Sequence, residues 1–212
     1  MTDQLLGLLE ESRQRGFLGP GPVEGHLDHA RAFAVAVEAV PDRALDLGAG
    51  GGLPGLVLAA TTWPTTRWTL LDAMGKRTAF LEEAVELLGL GDRVEVVTAR
   101  AESVGRAVEH RGAYDLVVAR SFGPPAVALE CAAPLLRRGG RFVVSEPPDA
   151  VLATRWPVEG VGLLGGAPPV ATLAGAAPGV HLVVIDQAEP CPDRYPRRVG
   201  VPAKRPLFSS PR

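Results

Sequence analysis

The stretch LDLGAGGGLPG, residues 45–55, places five glycines and a proline directly behind a short apolar run that contains an acid. The run before the glycines is typical of a strand, and the apolar residues after them are typical of a helix. Glycine at such a turn lets the backbone come close to another group. That group is a nucleotide's phosphate, a cofactor without phosphate, or the neighbouring chain of the protein itself.

Three motifs compete for these glycines. A Walker loop is excluded, because no Gly-Lys-Ser or Gly-Lys-Thr follows them. The dinucleotide pattern Gly-x-Gly-x-x-Gly fits Gly50, Gly52 and Gly55 and would indicate a nicotinamide-dependent oxidoreductase. The pattern Asp-x-Gly-x-Gly-x-Gly fits Asp46, Gly48, Gly50 and Gly52.

Charge favours the third motif. We expect the carboxylate of Asp46 at the mouth of the loop, where it would repel a pyrophosphate and attract a cation. S-adenosylmethionine carries an ammonium and a sulfonium and has no phosphate. Asp72 ends the next predicted strand, where a carboxylate can bind ribose hydroxyls; Glu102 follows the third strand and would reach the adenine or orient the loop around it. A tight turn in a flavodoxin-like protein without a cofactor is the alternative.

Strands and helices alternate along most of the chain. The predicted strands are 43–48, 67–72, 93–99, 114–120 and 141–146, with a closing hairpin at 170–174 and 181–188. The predicted helices are 2–15, 23–39, 53–62, 76–90 and 126–138, the last ended by Gly139 and Gly140, with a short helix after the third strand. Strands that are apolar on both faces and alternate with helices predict an α/β fold with a mostly parallel, covered sheet.

Length and composition set the broad class. At 212 residues we expect one domain, made of a helical extension (1–40), a core (41–188) and a basic tail (189–212). The net charge of −2 excludes a wholly basic surface but allows a local basic patch. The longest uncharged stretch, 161–180, contains three prolines, so we expect no membrane span.

Cysteine and histidine usage is sparse. Cys131 and Cys191 form no CxxC pair, which fits a reducing cytoplasm. His26 and His29 stand at helical spacing, but no third ligand is evident, so no metal site is expected and both are interpreted as partly exposed.

Methyl transfer in this architecture takes place near the end of the fourth strand, here VVARSFGPP. The Asn/Asp-Pro-Pro-Tyr/Phe motif of adenine-N6 enzymes is absent, and neither cysteine is placed as the nucleophile of RNA 5-methylcytosine enzymes. Arg120 is left as the candidate catalytic residue, because a guanidinium can hold a phosphate or an acceptor base. The alternative is an ion pair with one of three acids, Asp72, Glu102 or Glu146.

Basic residues form two further groups. Lys76 and Arg77 begin a predicted helix, where they oppose its dipole, so either a substrate phosphate compensates them or the face is solvated. After residue 193 the chain holds no acid and six cations, Arg194, Arg197, Arg198, Lys204, Arg205 and Arg212. This tail is expected to lie over the surface or move freely, as an RNA-contacting extension or a disordered end.

Together these residues resemble the bacterial small-subunit ribosomal RNA guanine-N7 methyltransferases (RsmG, formerly glucose-inhibited division protein B). The resemblance covers about residues 15–208 and is carried by LDLGAGGGLPGLVLA, LLDAMGKRTAFLEEAVELLGL, VVARSF and RYPRRVGVPAKRPLF. It implies the class I S-adenosylmethionine-dependent methyltransferase fold, which is Rossmann-like with a mostly parallel seven-stranded sheet. The expected partner is ribosomal RNA or the small ribosomal subunit, and the expected state is a cytoplasmic monomer.

The resemblance also implies roles for single residues. Gly48, Gly50, Asp72, Ala101 and Glu102 are expected to bind S-adenosyl-L-methionine, the expected cofactor, and Arg120 to lie at the methyl-transfer site. The full expected cofactor-binding set adds Asp46, Gly52 and Leu53. The expected substrate or RNA set is His26, Lys76, Arg77, Arg120, Arg197, Arg198 and Lys204.

Two departures from the family pattern concern the RNA side. Gly25 stands before His26 where the family usually has arginine, and Ser145-Glu146 stands where it tends to have Lys-Gly. A diverged enzyme on another acceptor and an RNA-binding relic without catalysis are therefore alternatives. For guanine N7 no general base is needed, because that nitrogen carries no proton, and the target is expected to be an unpaired base.

Overall fold

The computed structural model describes residues 2–173 and 179–209. Within them, the strands are β1 (Arg43–Leu47), β2 (Arg67–Asp72), β3 (Val94–Thr98), β4 (Tyr114–Ala119), β5 (Leu136–Glu146), β6 (Val170–Leu173) and β7 (His181–Asp186). They form one sheet in the order β3-β2-β1-β4-β5-β7-β6. Strands β1 to β5 are parallel, and β7 runs antiparallel to both β5 and β6. The predicted mostly parallel sheet and its closing hairpin are confirmed; Ala174 and Arg212 lie outside the described residues.

The helices of the described residues precede and connect these strands. They are α1 (Thr2–Gln14), α2 (Val23–Ala32), α3 (Gly55–Thr61), α4 (Gly75–Leu87), α5 (Ala101–Val104), α6 (Pro125–Ala132), α7 (Leu152–Arg155), α8 (Val158–Gly162) and α9 (Val201–Lys204). Short 3-10 turns follow α2 at Phe33–Ala36 and α6 at Ala133–Leu135. None of these helices is long and apolar enough to cross a membrane.

Two predicted helix ends are wrong. The helix predicted over 23–39 ends at Ala32 and tightens into a 3-10 turn, in a stretch that contains β-branched valines. The helix predicted over 126–138 ends at Ala132, because Pro134 lacks an N–H and disrupts a helical turn. Gly139 and Gly140 instead lie within β5: Gly139 has a φ of +78°, and a Cβ on Gly140 would lie 2.8 Å from the carbonyl oxygen of Tyr114.

The sheet is covered on both faces, as predicted. Side chains alternate along β1, so that Ala44 joins the core on one face and Leu45 and Leu47 join the core on the other. Helices α1 to α4 contribute to the first core; α6, Trp156 and the C-terminal Tyr195 contribute to the second.

The C-terminal segment, residues 189–209, packs against the second face. Cys191 and Tyr195 are buried. Arg111, in the loop before β4, donates hydrogen bonds to the carbonyl oxygens of both residues at 2.8 Å. Of the two alternatives expected for this tail, the described part lies over the surface and does not move freely, because the partly buried guanidinium of Arg111 holds its backbone.

Candidate active site

A cleft of about 480 Å³ opens at the carboxyl ends of the parallel strands. Strand β1 lies between β2 and β4, so the winding of the chain reverses there, which is where open α/β sheets bind ligands. The volume is in the range of small-molecule sites. A larger cleft of about 590 Å³ lies at the opposite edge of the sheet, beside Asp42, Asp115 and Arg137. It contains none of the predicted site residues.

The predicted residues divide between the cleft and its support. Those that line the cleft are Gly48, Asp72, Arg77, Ala101 and Glu102. Those that are not among its lining residues are Asp46, Gly50, Gly52, Leu53, Lys76, Arg120, His26, Arg197, Arg198 and Lys204. The lining residues that went unrecognised in the sequence include Phe122 after β4 and Ala203 of α9. No local signal marks Ala203, because its position depends on the path of the C-terminal segment.

Three glycines of the loop are required by the protein itself. A Cβ on Gly51 would lie 2.2 Å from the hydroxyl oxygen of Ser12, which donates a hydrogen bond to the carbonyl of Gly51. A Cβ on Gly55 would lie 2.5 Å from the Cβ of Asp46. A Cβ on Gly48 would lie 2.6 Å from Cδ2 of Phe122. Close contacts with other residues of the same protein therefore account for much of the glycine content that first suggested a ligand.

The carboxylate of Asp46 is not at the mouth of the loop, so that prediction is wrong. Strand alternation points Asp46 into the protein, where it has no exposed surface. One oxygen accepts the N–H of Gly55 at 2.7 Å, and the other has no hydrogen-bond partner. Burial raises the pKa of Asp46 to about 7. Asp46 thus fixes the turn into α3. If carboxylates attract a cationic donor to the cleft, they are those of other acids.

Asp72 is the acid that the cleft presents beside the loop. Its Oδ2 accepts the N–H of Gly50 at 3.0 Å and its Oδ1 accepts the N–H of Met74 at 2.8 Å. Arg77 lies 3.5 Å from the same carboxylate, so this cation is compensated by Asp72 rather than by solvent alone. Lys76, one residue earlier on α4, is exposed.

Glu102 joins the cleft to the C-terminal segment. Its Oε1 accepts the N–H of Gly200 at 2.8 Å, directly before α9, and Ala203 of that helix lines the cleft. Burial opposes ionisation of Glu102, but the hydrogen bonds from Gly200 and Arg100 outweigh it and hold the pKa below its usual value. The acid therefore remains an anion that positions one wall of the cleft.

Arg197 anchors the same segment. Its backbone N–H and its Nε donate to one oxygen of Glu130, both at 2.9 Å, and its Nη2 donates to the other at 2.6 Å. Glu130 lies in α6 and has no exposed surface. Arg197 is thus an internal ion-pair partner, whereas Arg198 and Lys204, of the same predicted RNA set, are exposed.

In the described part of the chain, Arg120 forms no ion pair with the three acids considered for it. Its Nη2 donates to Nδ1 of His26 at 2.9 Å, and Nε2 of His26 lies 3.1 Å from the carbonyl of Gly19. Because arginine only donates, His26 accepts on Nδ1 and carries its proton on Nε2. His26 is buried, not partly exposed, and Nη1 of Arg120 is buried without a hydrogen-bond partner among the described residues.

His29 completes this polar cluster. Burial above all, with Arg120 and His26 adding to it, lowers the pKa of His29 to about 4, so the ring is neutral at physiological pH. In residues 2–173 and 179–209, no group of three or more histidines, cysteines or acids is arranged to hold a metal ion.

Known proteins share both the sequence and the fold of this chain. The family model described as rRNA small subunit methyltransferase G matches residues 24–146. The ribosomal RNA small subunit methyltransferase G of Roseiflexus castenholzii is 44% identical over 175 residues, covering 79% of this chain and 72% of that protein. The protein of the same name from Symbiobacterium thermophilum is 40% identical over 190 residues, covering 85% and 76%.

Solved structures share the architecture at lower identity. The O-methyltransferase from Bacillus cereus in complex with SAH aligns with a TM-score of 0.61 and 18% identity, over 87% of this chain and 90% of that one. Cofactor-bound Rv0187 from MTB aligns with a TM-score of 0.60 and 22% identity, over 88% and 90%. These likenesses confirm the expected class I methyltransferase fold, and the sequence matches confirm the resemblance: the chain belongs to the rRNA small subunit methyltransferase G family.

Proposed function

We propose that this chain transfers the methyl group of S-adenosylmethionine to N7 of an unpaired guanine in small-subunit ribosomal RNA. The observation that carries the proposal is the cleft at the carboxyl ends of the strands, which presents Asp72 and Glu102 beside a glycine loop. Carboxylates there disfavour a pyrophosphate and favour a positively charged nucleoside. Family membership supports the same reaction and disfavours the oxidoreductase alternative.

The residues of the cleft fit this donor. Asp72 is proposed to hold the ribose hydroxyls, and Ala101 with Glu102 the adenine side. Gly48, Gly50, Gly52 and Leu53 are proposed to form the loop beside which the rest of the donor lies. Asp46 is proposed to hold the loop in shape through Gly55 rather than to touch the donor. When bound, the donor supplies an electrophilic methyl group.

The acceptor side is proposed to begin at Arg120. Its Nη1 is buried and has no hydrogen-bond partner among the described residues, so one donor group of this guanidinium is unsatisfied beside the strand end where transfer is proposed. His26 would act by holding the guanidinium, not by touching RNA. The exposed cations Lys76, Arg198 and Lys204 would contact RNA phosphates, with Arg77 beside them; Arg197 would support this surface from within.

The reaction needs little acid–base chemistry from the protein. N7 of guanine carries a lone pair and no proton, so the chain has to orient the base and exclude water rather than remove a proton. Orientation alone can supply about 7–11 kcal/mol of barrier reduction. The target is an unpaired base, since side chains cannot enter the major groove of an RNA helix.

We also propose that residues 1–40, 41–188 and 189–212 work as one domain, as a monomer in the cytoplasm. Contacts between these segments support the single domain: Ser12 bonds the glycine loop, and Arg197 bonds Glu130 of the core.

The test is incubation of the protein with labelled S-adenosylmethionine and either small ribosomal subunits or extracted ribosomal RNA, followed by identification of the labelled nucleoside. We expect 7-methylguanosine in small-subunit RNA. Arg120→Ala should lower the transfer rate about a hundredfold while the dissociation constant for S-adenosylhomocysteine changes little, since one lost charged contact is worth about that much. Arg138→Ala, an exposed arginine at the opposite edge of the sheet, is the matched control. Label in another nucleoside, or unchanged turnover of Arg120→Ala, would refute the assignment.

A further inference from the structure

The cleft contains one aromatic side chain, Phe122, that the proposed function does not use. Among the described residues that line the cleft, Phe122 is the only aromatic one. It lies two residues after Arg120, in the turn between β4 and α6, and is half-buried. The turn is held in an unfavourable conformation, because Ser121 has a φ of +56°, which residues other than glycine rarely adopt.

The ring meets the glycine loop with its edge. From a Cβ built on Gly48, the ring atom Cδ2 would lie at 2.6 Å, and its two ring neighbours, Cε2 and Cγ, at 3.4 and 3.6 Å. A ring presenting its face would place all three atoms at more nearly equal distances. The edge of Phe122 therefore occupies the space that glycine leaves at position 48. The two faces of the ring are turned away from Gly48.

The charged groups near Gly48 bear on what an aromatic ring could do for a cationic ligand there. Asp72 and Glu102 both accept backbone N–H groups, and Asp46 is buried outside the cleft. Two cations, Arg77 and Arg100, are among the lining residues. Both carboxylates are thus already engaged by backbone N–H groups, and the electron-rich face of an aromatic ring attracts a cation in addition to them without carrying a charge.

We propose that Phe122 is a donor-binding residue whose ring face stabilises the positive charge of the sulfonium and, after methyl transfer, that of the methylated base. This inference rests on the proposed function. In the reaction, the bond between sulfur and the methyl carbon breaks and its electron pair stays on sulfur, while the lone pair of N7 forms the new carbon–nitrogen bond. Sulfur becomes a neutral thioether, the base becomes a cation, and no proton moves. A ring beside the path attracts the charge before and after transfer, and does not hold the cationic product as firmly as a carboxylate would.

The charge of the donor provides a test that does not depend on turnover. S-adenosylmethionine and S-adenosylhomocysteine differ by one methyl group and one positive charge, so the ratio of their dissociation constants reports what the site does for that charge. Calorimetric titration should be carried out with the wild type, Phe122→Tyr, Phe122→Leu and Val127→Ala. Val127 lines the same cleft and has no ring, so it is the control for lost apolar contact.

For Phe122→Leu we expect weakened binding of S-adenosylmethionine alone, so that its affinity advantage over S-adenosylhomocysteine falls about two- to thirtyfold. Phe122→Tyr should keep the ratio, and Val127→Ala should shift both ligands equally. If Phe122→Leu also shifts both ligands equally, the ring is only apolar packing and the inference is overturned.

Fluorinated phenylalanines at position 122 keep the shape of the ring and withdraw electrons from its face, which removes any concern about folding. The ratio should fall step by step with each added fluorine; a ratio that stays constant across the series contradicts the inference. If neither ligand binds the wild type, the proposed function fails as well. If both bind and only the ratio is unaffected, the proposed function stands and Phe122 is not the group that stabilises the charge.

Discussion

The glycine loop, residues 45–55, and the C-terminal segment, residues 189–209, are walls of the same cleft, yet they arise from the sequence in different ways. The loop is a local feature, in which the glycine spacing and the flanking apolar runs mark a turn from β1 into α3. The segment reaches the cleft through partners far away in sequence: Arg197 bonds Glu130, and Gly200 bonds Glu102. A site can therefore be recognised from one wall while its other wall goes unnoticed.

The two regions also treat buried carboxylates differently. Asp46 supports the loop with one backbone hydrogen bond and an unpartnered oxygen, whereas Glu130 supports the segment through three hydrogen bonds from one arginine. Burial raises the pKa of Asp46 and favours the protonated acid there, whereas Glu130 is paired with a cation. The free energy of unfolding should accordingly depend on pH through Asp46 in the loop, and on the presence of Arg197 in the C-terminal segment.

The largest expected effect comes from ionising Asp46. Its folded-state pKa of about 7 lies above its ordinary value of 3.8, so the folded state binds more protons than the unfolded state between these values. The free energy of unfolding contributed by Asp46 therefore falls as pH rises from 4 to 7, by about 4 kcal/mol at most, and levels off above. Urea unfolding of the wild type and Asp46→Asn across this range measures it, since the asparagine oxygen can still accept the N–H of Gly55.

The difference between the two proteins isolates Asp46. His29 acts in the opposite direction, because its lowered pKa makes stability fall as pH drops from 6.5 towards 4, but both proteins contain it. Parallel pH profiles for wild type and Asp46→Asn would mean that Asp46 is ionised in the folded protein at low pH, and would remove the contrast with Glu130.

Loss of the cation at the segment should have the next largest effect. Arg197→Met leaves Glu130 buried without its partner, at a cost of about 3 kcal/mol in unfolding free energy, at the low end for such pairs because a quarter of the arginine is exposed. Arg198→Met, at the exposed neighbouring position, should change stability by less than about 0.5 kcal/mol. The double variant Arg197→Met, Glu130→Met should recover most of the loss. Equal stability of Arg197→Met and Arg198→Met would show that the Arg197–Glu130 pair does not anchor the segment.

A smaller loss is expected when the loop is overfilled. Gly55→Ala forces a methyl group against Asp46 and Leu70, both buried, and should cost about 2 kcal/mol. Gly75→Ala is the matched control, because nothing lies within 4 Å of a Cβ at the first residue of α4, and alanine suits a helix. Thermal or urea unfolding of both variants decides the point, and a neutral Gly55→Ala would contradict the steric requirement for glycine at this position.

The sequence predicted the order and type of most elements, since β1 to β4 and the glycine turn carry local signals. It predicted Asp72 and Glu102 at the cleft because strands of a parallel sheet end at a common edge. It misplaced Asp46, whose direction is set by strand alternation and by α3 packing over it. It also treated Arg197 as a free cation, because the buried partner Glu130 lies 67 residues away. Phe122 and Ala203 escaped notice for the same reason, as their neighbours are distant in the chain.

Calorimetric titration of S-adenosylhomocysteine tests most directly whether the loop and the segment enclose one donor site. Asp72→Ala removes a carboxylate beside the loop and should weaken binding about tenfold or more, as expected for a lost hydrogen bond to a charged group. Ala203→Trp fills the cleft from the segment and should weaken binding at least as much, while Arg138→Ala leaves it unchanged. Wild-type affinity in Ala203→Trp would show that the C-terminal segment does not border the donor site. Wild-type affinity in both Asp72→Ala and Ala203→Trp would place the donor elsewhere and contradict the account.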